Sequence, residues 1–147
     1  MRIVLAVDGS EHSTRAADMA GNLSAALDAP VDVVYVVQEG GLVIQGPIQD
    51  YARLERVVIT QRELLESIGA TVVAEAADRV RGQGGRVEET KVLIGAPAHE
   101  IVRHAETIDA DCIVMGRRGL GDISGLLMGS VSHKVGHLTP LTLVTTE

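Results

Sequence analysis

Residues 111–138 read DCIVMGRRGLGDISGLLMGSVSHKVGHL. The first six form an apolar run that ends on Gly116 and predicts a strand. From Ser130 to Leu138 the spacing is that of a short helix. Between the two the chain places five glycines, at positions 116, 119, 121, 125 and 129. A strand, a glycine-rich turn and a helix in that order belong to alternating α/β chains.

Outward from this segment the alternation repeats. Ile3–Val7 is wholly apolar and ends in Asp8-Gly9-Ser10, which suits a strand buried on both faces. Ala16, Ala20, Leu23 and Leu27 then recur at helical spacing, with Ser10 or Ser13 as the cap and Pro30 past the end. Val31–Val37 is a second strand and Gly40–Pro47 a loop. A long helix is expected from about Asp50 to Arg81. Its apolar stripe is Tyr51, Leu54, Val58, Leu65, Ile68, Val72 and Ala76, and Gly69 marks a kink. Gly82–Gly85 ends it. Val87–Ile94 begins polar and belongs near an edge of the sheet. Pro97 opens a helix whose apolar face is Ile101, Val102, Ala105 and Ile108. After the fourth strand and its helix, Pro140–Thr146 supplies a fifth strand. This order predicts an open, doubly wound, five-stranded parallel sheet with helices on both faces. No linker or repeat interrupts it, so residues 1–147 are expected to form a single domain.

The chain is 46% hydrophobic, yet it has no Phe or Trp and only two Tyr. Its core must be aliphatic, and the aromatic shelves that grip single-stranded nucleic acid are nearly lacking. A formal charge of -7 also speaks against a nucleic-acid backbone as partner. A single nucleotide stays open, because backbone N–H groups hold phosphates without net positive charge. Cys112 is the lone cysteine, so neither an intrachain disulfide nor a cysteine zinc cluster can form. Its apolar strand predicts a buried, inert thiol. No apolar run approaches the roughly 18 residues of a membrane span, and the N-terminal run is too short for a signal peptide. A cytoplasmic protein is the expectation.

In open parallel sheets, ligands bind beyond the C-terminal strand ends, where the strand order reverses. If strands one and four are neighbours, Asp8-Gly9-Ser10 and the segment Gly116–Ser132 face one crevice. Glycines let a backbone approach a ligand closely and tolerate positive φ. Free N–H groups in a turn form an anion nest. Gly129-Ser130 then opens a helix, whose first N–H groups are unpaired and carry the positive end of the dipole. Ser130 and Ser132 add hydroxyls. The combination suits a polyphosphate without saying which one. Two other phosphate motifs are absent. No Gly is followed by Lys and then Ser or Thr, and Gly119-Leu120-Gly121 meets its next glycine, Gly125, one residue late for G-x-G-x-x-G.

Gly116, two residues, Gly119, nine residues, then Gly129-Ser130 spells G-x2-G-x9-G-(S/T). In this the chain resembles the ATP-binding branch of the universal stress protein family. IVLAVDGSEHSTRA, ADCIVMGRRG, SVSHKV and TPLTLV are similar to that family's first strand, its strand entering the glycine motif, its following helix and its closing strand. The resemblance covers the whole chain. It implies a Rossmann-like sheet in the order 3-2-1-4-5, with strands one and four side by side and ATP in the crevice. Asp8 would then lie at the ribose or phosphates, and the backbone near Ala6, Val7 and Val36 would meet the adenine. Met115 and Gly116 would border the ribose, while Gly119, Gly129, Ser130, Val131 and Ser132 would hold the phosphates. Mg²⁺ would bridge those phosphates with few protein ligands. The resemblance also implies a homodimer through the last strand, Leu141–Thr145, whose unpaired apolar edge invites antiparallel augmentation.

Plainer roles exist for several of these residues. Asp8 also suits a turn or a helix cap. Arg117 and Arg118 reach the phosphates or point into solvent, and Asp122 is expected to turn outward. Leu126, Leu127 and Met128 read as packing residues. His133 and His137 stand four apart on a helix, the spacing of a shared metal, but no H-E-x-x-H motif supports one and no metal site is assigned. There is no G-x-S-x-G elbow, no evident general base and no second catalytic lysine, so no catalytic residue is assigned. The expected function is a nucleotide-responsive, stress-response regulator read by an unknown partner. The alternatives are a slow ATPase or autophosphorylating enzyme, modified at Ser130 or Ser132, and a nucleotide-free interaction module.

Overall fold

The computed structural model describes residues 1–38, 51–120 and 128–147, with residues 51–59 described by their helix alone. Strands and helices alternate as β1 (Ile3–Ala6), α1 (Glu11–Leu27), β2 (Val31–Gln38), α2 (Tyr51–Gly82), β3 (Val87–Gly95), α3 (Pro97–Thr107), β4 (Cys112–Gly116), α4 (Ser130–Leu138) and β5 (Thr142–Thr146). All strand pairs are parallel, and the sheet runs β3-β2-β1-β4-β5. The expected α/β class and strand order both hold, and the half-polar β3 lies at an edge. Ala6 on the central strand sits beside Val34 on one side and Met115 on the other.

The two-residue period of the strands divides the core into two layers. Ile3, Leu5, Val31, Val33, Cys112 and Val114 face Ala16, Ala17 and Ala20 of α1 and Val73, Ala76, Ala77 and Val80 of α2. Val4, Ala6, Val34, Ile113 and Met115 face Ala98, Ile101, Val102 and Ala105 of α3 and Val135 of α4. The helices meet the sheet largely through small side chains, which lets them approach a surface of branched aliphatics closely. Each fully buried Val, Leu or Ile is worth about 1.5–3 kcal/mol.

That use of small residues overturns part of the expected helix faces. Ile68 is 44% exposed, and Leu27, in the last turn of α1, is 49% exposed. The buried line of α2 is Gly69, Val73, Ala76, Ala77 and Val80, rotated from the stripe of larger apolar residues. Gly69 does not break the helix. It admits the ring of Tyr35, and a Cβ there would lie 2.6 Å from Tyr35 Cδ1. The expected loop Gly40–Pro47 and the side chains of Tyr51, Leu54 and Val58 lie outside the described residues. No described helix is long and apolar enough to cross a membrane.

Candidate functional site

After β1 the chain turns into α1 on one face of the sheet. After β4 it turns into α4 on the other. The strand order therefore reverses between β1 and β4, and a cleft of about 270 Å³ opens there beyond their C-terminal ends.

One side of the cleft is aliphatic. Ala6 at the end of β1, Val7 just after it, Val34 and Val36 from β2 and Met115 from β4 meet Pro97 and Ile101 at the start of α3. The other side is polar: Asp8, Ser13, Gly116, Arg118, Gly119 and Leu120 lead to the Gly129–Ser132 turn of α4. Every residue that the sequence placed at a ligand lines this one cleft. Ser13, Val34, Pro97, Ile101 and Leu120 were not foreseen. The only signal for Pro97 and Ile101 is that α3 follows β3 at the same edge of a parallel sheet.

Asp8 ties the two halves of the cleft together. Its Oδ1 accepts the Ser10 N–H at 2.9 Å and its Oδ2 accepts the Leu120 N–H at 3.1 Å. Ser10 caps α1 by accepting the Ser13 N–H. A Cβ on Gly119 would run into the Asp8 carboxylate, and one on Gly116 would lie 2.8 Å from His12 Cβ. Neither glycine, nor Gly129, has a positive φ. Close packing, not left-handed backbone, explains them: Gly116 against α1, Gly119 against Asp8, and Gly129 against the Arg117-Arg118 backbone. Gly121, Asp122, Gly125, Leu126 and Leu127 lie outside the described residues, and Met128 is half-buried.

The start of α4 supplies the donors. Gly129 is its N-cap, with φ -71 and ψ 159, no side chain caps it among the described residues, and no acid stands in its first turn. Gly129 donates to the Arg117 carbonyl at 2.8 Å, and the first intrahelical bond runs from His133 N to Gly129 O at 3.0 Å. The N–H groups of Ser130, Val131 and Ser132 precede that bond and stand on the cleft wall. The two serines differ. Ser132 is 2% exposed, and its hydroxyl donates to the Arg117 carbonyl at 2.6 Å, which latches the turn to the helix. Ser130 is exposed. The arginines part company too. Arg117 pairs with Glu147, whereas Arg118 lines the cleft.

The opposite edge of the sheet holds a cluster that the sequence reading missed. Asp32, 1% exposed on β2, accepts Arg2 Nη2 at 2.9 Å and stands 3.2 Å from His104 Nε2 of α3. The signal was an aspartate inside the apolar run VDVVYVV. On the other face of the sheet, Cys112 is buried as expected. Burial first, then the Asp111 carboxylate, pushes its thiol pKa up.

The comparisons with known proteins agree with this fold. The model of the universal stress protein family matches residues 1–146. The chain is similar to universal stress protein YxiE of Bacillus subtilis (strain 168), 29% identical over 138 residues, covering 94% of this chain and 93% of that protein. It is 28% identical to a universal stress protein solved in complex with cAMP, with a TM-score of 0.66 over 100% of this chain and 96% of that one. A universal stress protein from Archaeoglobus fulgidus in complex with dAMP has a TM-score of 0.69 at 24% identity, covering 100% of this chain and 98% of that one.

Proposed function

The chain belongs to the universal stress protein family, and from that membership we propose that it is a nucleotide-responsive regulatory protein that binds ATP with Mg²⁺ in the cleft between β1 and β4. The observation that carries this is the division of the cleft. Ala6, Val34, Val36, Ile101 and Met115 make an aliphatic slot, and the uncapped start of α4 stands at the other end. A purine is flat and apolar on its faces and suits the slot. A polyphosphate suits three N–H groups at the positive end of a helix dipole. Similar proteins carry adenine nucleotides, cAMP in one and dAMP in another, which supports adenine as the base.

In this assignment the backbone near Ala6, Val7 and Val36 meets the adenine, and Met115 and Gly116 border the ribose. Gly119, Gly129, Ser130, Val131 and Ser132 surround the phosphates. Asp8 holds the glycine turn against the end of β1 through Leu120 N–H. With both of its oxygens accepting backbone N–H groups, Mg²⁺ would be held mainly by phosphate oxygens and water. The same engagement argues against Asp8 as a general base, and for a nucleotide that acts as a conformational ligand rather than as fuel.

One observation favours a second reading. Ser130 is an exposed hydroxyl at the anion end of the cleft, where slow phosphoryl transfer from ATP would mark it. Phosphoserine at 130 after incubation with Mg-ATP, seen by mass spectrometry, would establish that activity. The edge strand β5 reads TLVTT and carries no charge, whereas β3 carries Glu88, Glu89 and Lys91. Charge protects an edge from pairing, so β5 is assigned as the homodimer edge, and light scattering should give twice the chain mass.

The test of the nucleotide site is titration of the purified chain with Mg-ATP. One ATP per chain is expected, with GTP bound more weakly. No binding of ATP at about 1 mM, far above the 10⁻⁶ M range of an ordinary ligand site, would remove the assignment.

A further inference from the structure

His133 and His137 stand one turn apart on α4, and both are exposed. Their Nε2 atoms lie 3.3 Å apart, and the rings meet edge-on with centroids 4.6 Å apart. At that separation one ring nitrogen donates to the other, or both turn their lone pairs to a shared cation. The pair is held together by one proton between a donor and an acceptor, or by a metal ion in the proton's place. We propose that His133 and His137 form a bidentate chelate for a nitrogen-preferring divalent cation, Zn²⁺, Ni²⁺ or Cu²⁺.

The bite distance fits this chemistry. Two Zn–N bonds of about 2.0–2.1 Å meeting at about 109° set their nitrogens about 3.3–3.4 Å apart. Chelation needs only a modest rotation of each ring, so that both lone pairs converge on one point. Among the described residues no third His, Cys, Asp or Glu completes a ligand set, so water fills the remaining positions and the ion exchanges freely. Mg²⁺ and Ca²⁺ prefer oxygen ligands, which keeps this site chemically separate from a nucleotide-bound Mg²⁺. His137 lies in the last turn of α4, where the negative end of the helix dipole favours a cation. The formal charge of -7 draws cations toward the chain as a whole. A chelate at these positions clips together one turn of the helix whose first residues line the cleft.

Titration calorimetry of Ni²⁺ into the chelator-stripped full chain tests the site. One ion per chain is expected at a micromolar Kd, and a large excess of Mg²⁺ should not compete. His133→Gln and His137→Gln should each weaken binding at least about tenfold, since losing one of two protein ligands costs no less than losing a ligand's outer-shell partner. The double variant should abolish it, and His99→Gln, an exposed histidine on α3, should leave it unchanged. With Cu²⁺, electron paramagnetic resonance should show coupling to two nitrogens that the double variant lacks. Circular dichroism of the metal-free variants separates lost binding from lost folding. Equal affinity in the wild type and the double variant overturns the chelate, as does failure of the wild type to bind at about 100 µM Ni²⁺, well above the expected affinity.

Discussion

The two ends of the sheet hold the same kinds of atoms and use them in opposite ways. At the N-terminal end, a buried carboxylate, a guanidinium and an imidazole close on one another as Arg2, Asp32 and His104. At the C-terminal end, the carboxylate of Asp8 accepts two backbone N–H groups, and among the described residues no side chain caps the start of α4. Charges at the first end are satisfied within the chain, so removing one leaves its partner uncompensated. Residues at the second end line a cleft, and in the proposed assignment their donors serve a ligand. Stability and binding should therefore respond separately to substitutions at the two ends.

The largest expected effect breaks the closed end. Asp32→Ala leaves His104 buried without its partner and Arg2 without its anchor. Loss of one partner of a buried pair costs about 3–5 kcal/mol. Arg2 is 32% exposed on its side chain and can rehydrate, so about 3 kcal/mol is expected, a fall in Tm of about 6–12 °C. Urea unfolding measures it, and Asp32→Asn, which keeps an acceptor, should lose less. ATP affinity should hold within about twofold, since the ends are separated by the length of the sheet. A large loss of affinity without unfolding would break the separation.

The next effect is confined to the open end. Gly129→Asp places a carboxylate at the N-cap of α4, the position that Asp favours. The backbone there, φ -71, suits any residue. A Cβ would lie 3.2 Å from Arg118 Cα, so the turn must give slightly. Stability should change by only a few tenths of a kcal/mol. The new carboxylate takes the N–H groups assigned to the phosphates and repels them, and ATP affinity should fall at least about 100-fold. Asp8→Ala should act more gently on both properties. It frees the Ser10 and Leu120 N–H groups, costing about 1–2 kcal/mol of stability and about tenfold in affinity. Calorimetric titration beside thermal unfolding separates the two readouts. Unchanged ATP affinity in Gly129→Asp would displace the phosphates from α4.

Much of this contrast was legible in the sequence, though unevenly. The open end announced itself because its parts are local: VDGS follows one strand, and the glycine turn with Gly129-Ser130 follows another. Parallel topology then had to bring them together. The closed end was missed because Arg2, Asp32 and His104 meet only through tertiary packing, and no spacing links them. Ile68 and Leu27 misled for a related reason. A helical stripe of large apolar residues marks the interface only when size decides the packing, and here Gly69, Ala76 and Ala77 let α2 approach instead. The role of the glycines was half legible. Their positions marked the cleft, but Asp8 and His12, not left-handed backbone, are what need the space at Gly119 and Gly116.

The smallest expected effect sharpens the picture of the closed end. Cys112 begins β4 beside Ile3, with Asp111 before it. Burial, then the Asp111 charge, raises its pKa in the folded chain, while an unfolded thiol ionises near about 8.5. The neutral thiol is thus favoured by folding, and the unfolded chain binds fewer protons once the pH exceeds its own thiol pKa. The contribution is complete below that value and is lost as pH rises through the folded pKa. Urea unfolding from neutral to alkaline pH should show the wild type losing stability relative to Cys112→Ala above about pH 8.5, by no more than about 1.4 kcal/mol per pH unit. A thiol reagent should react only as the chain unfolds. Parallel pH profiles, together with rapid labelling of the native chain, would mean that water reaches β4 and that the N-terminal end is not closed.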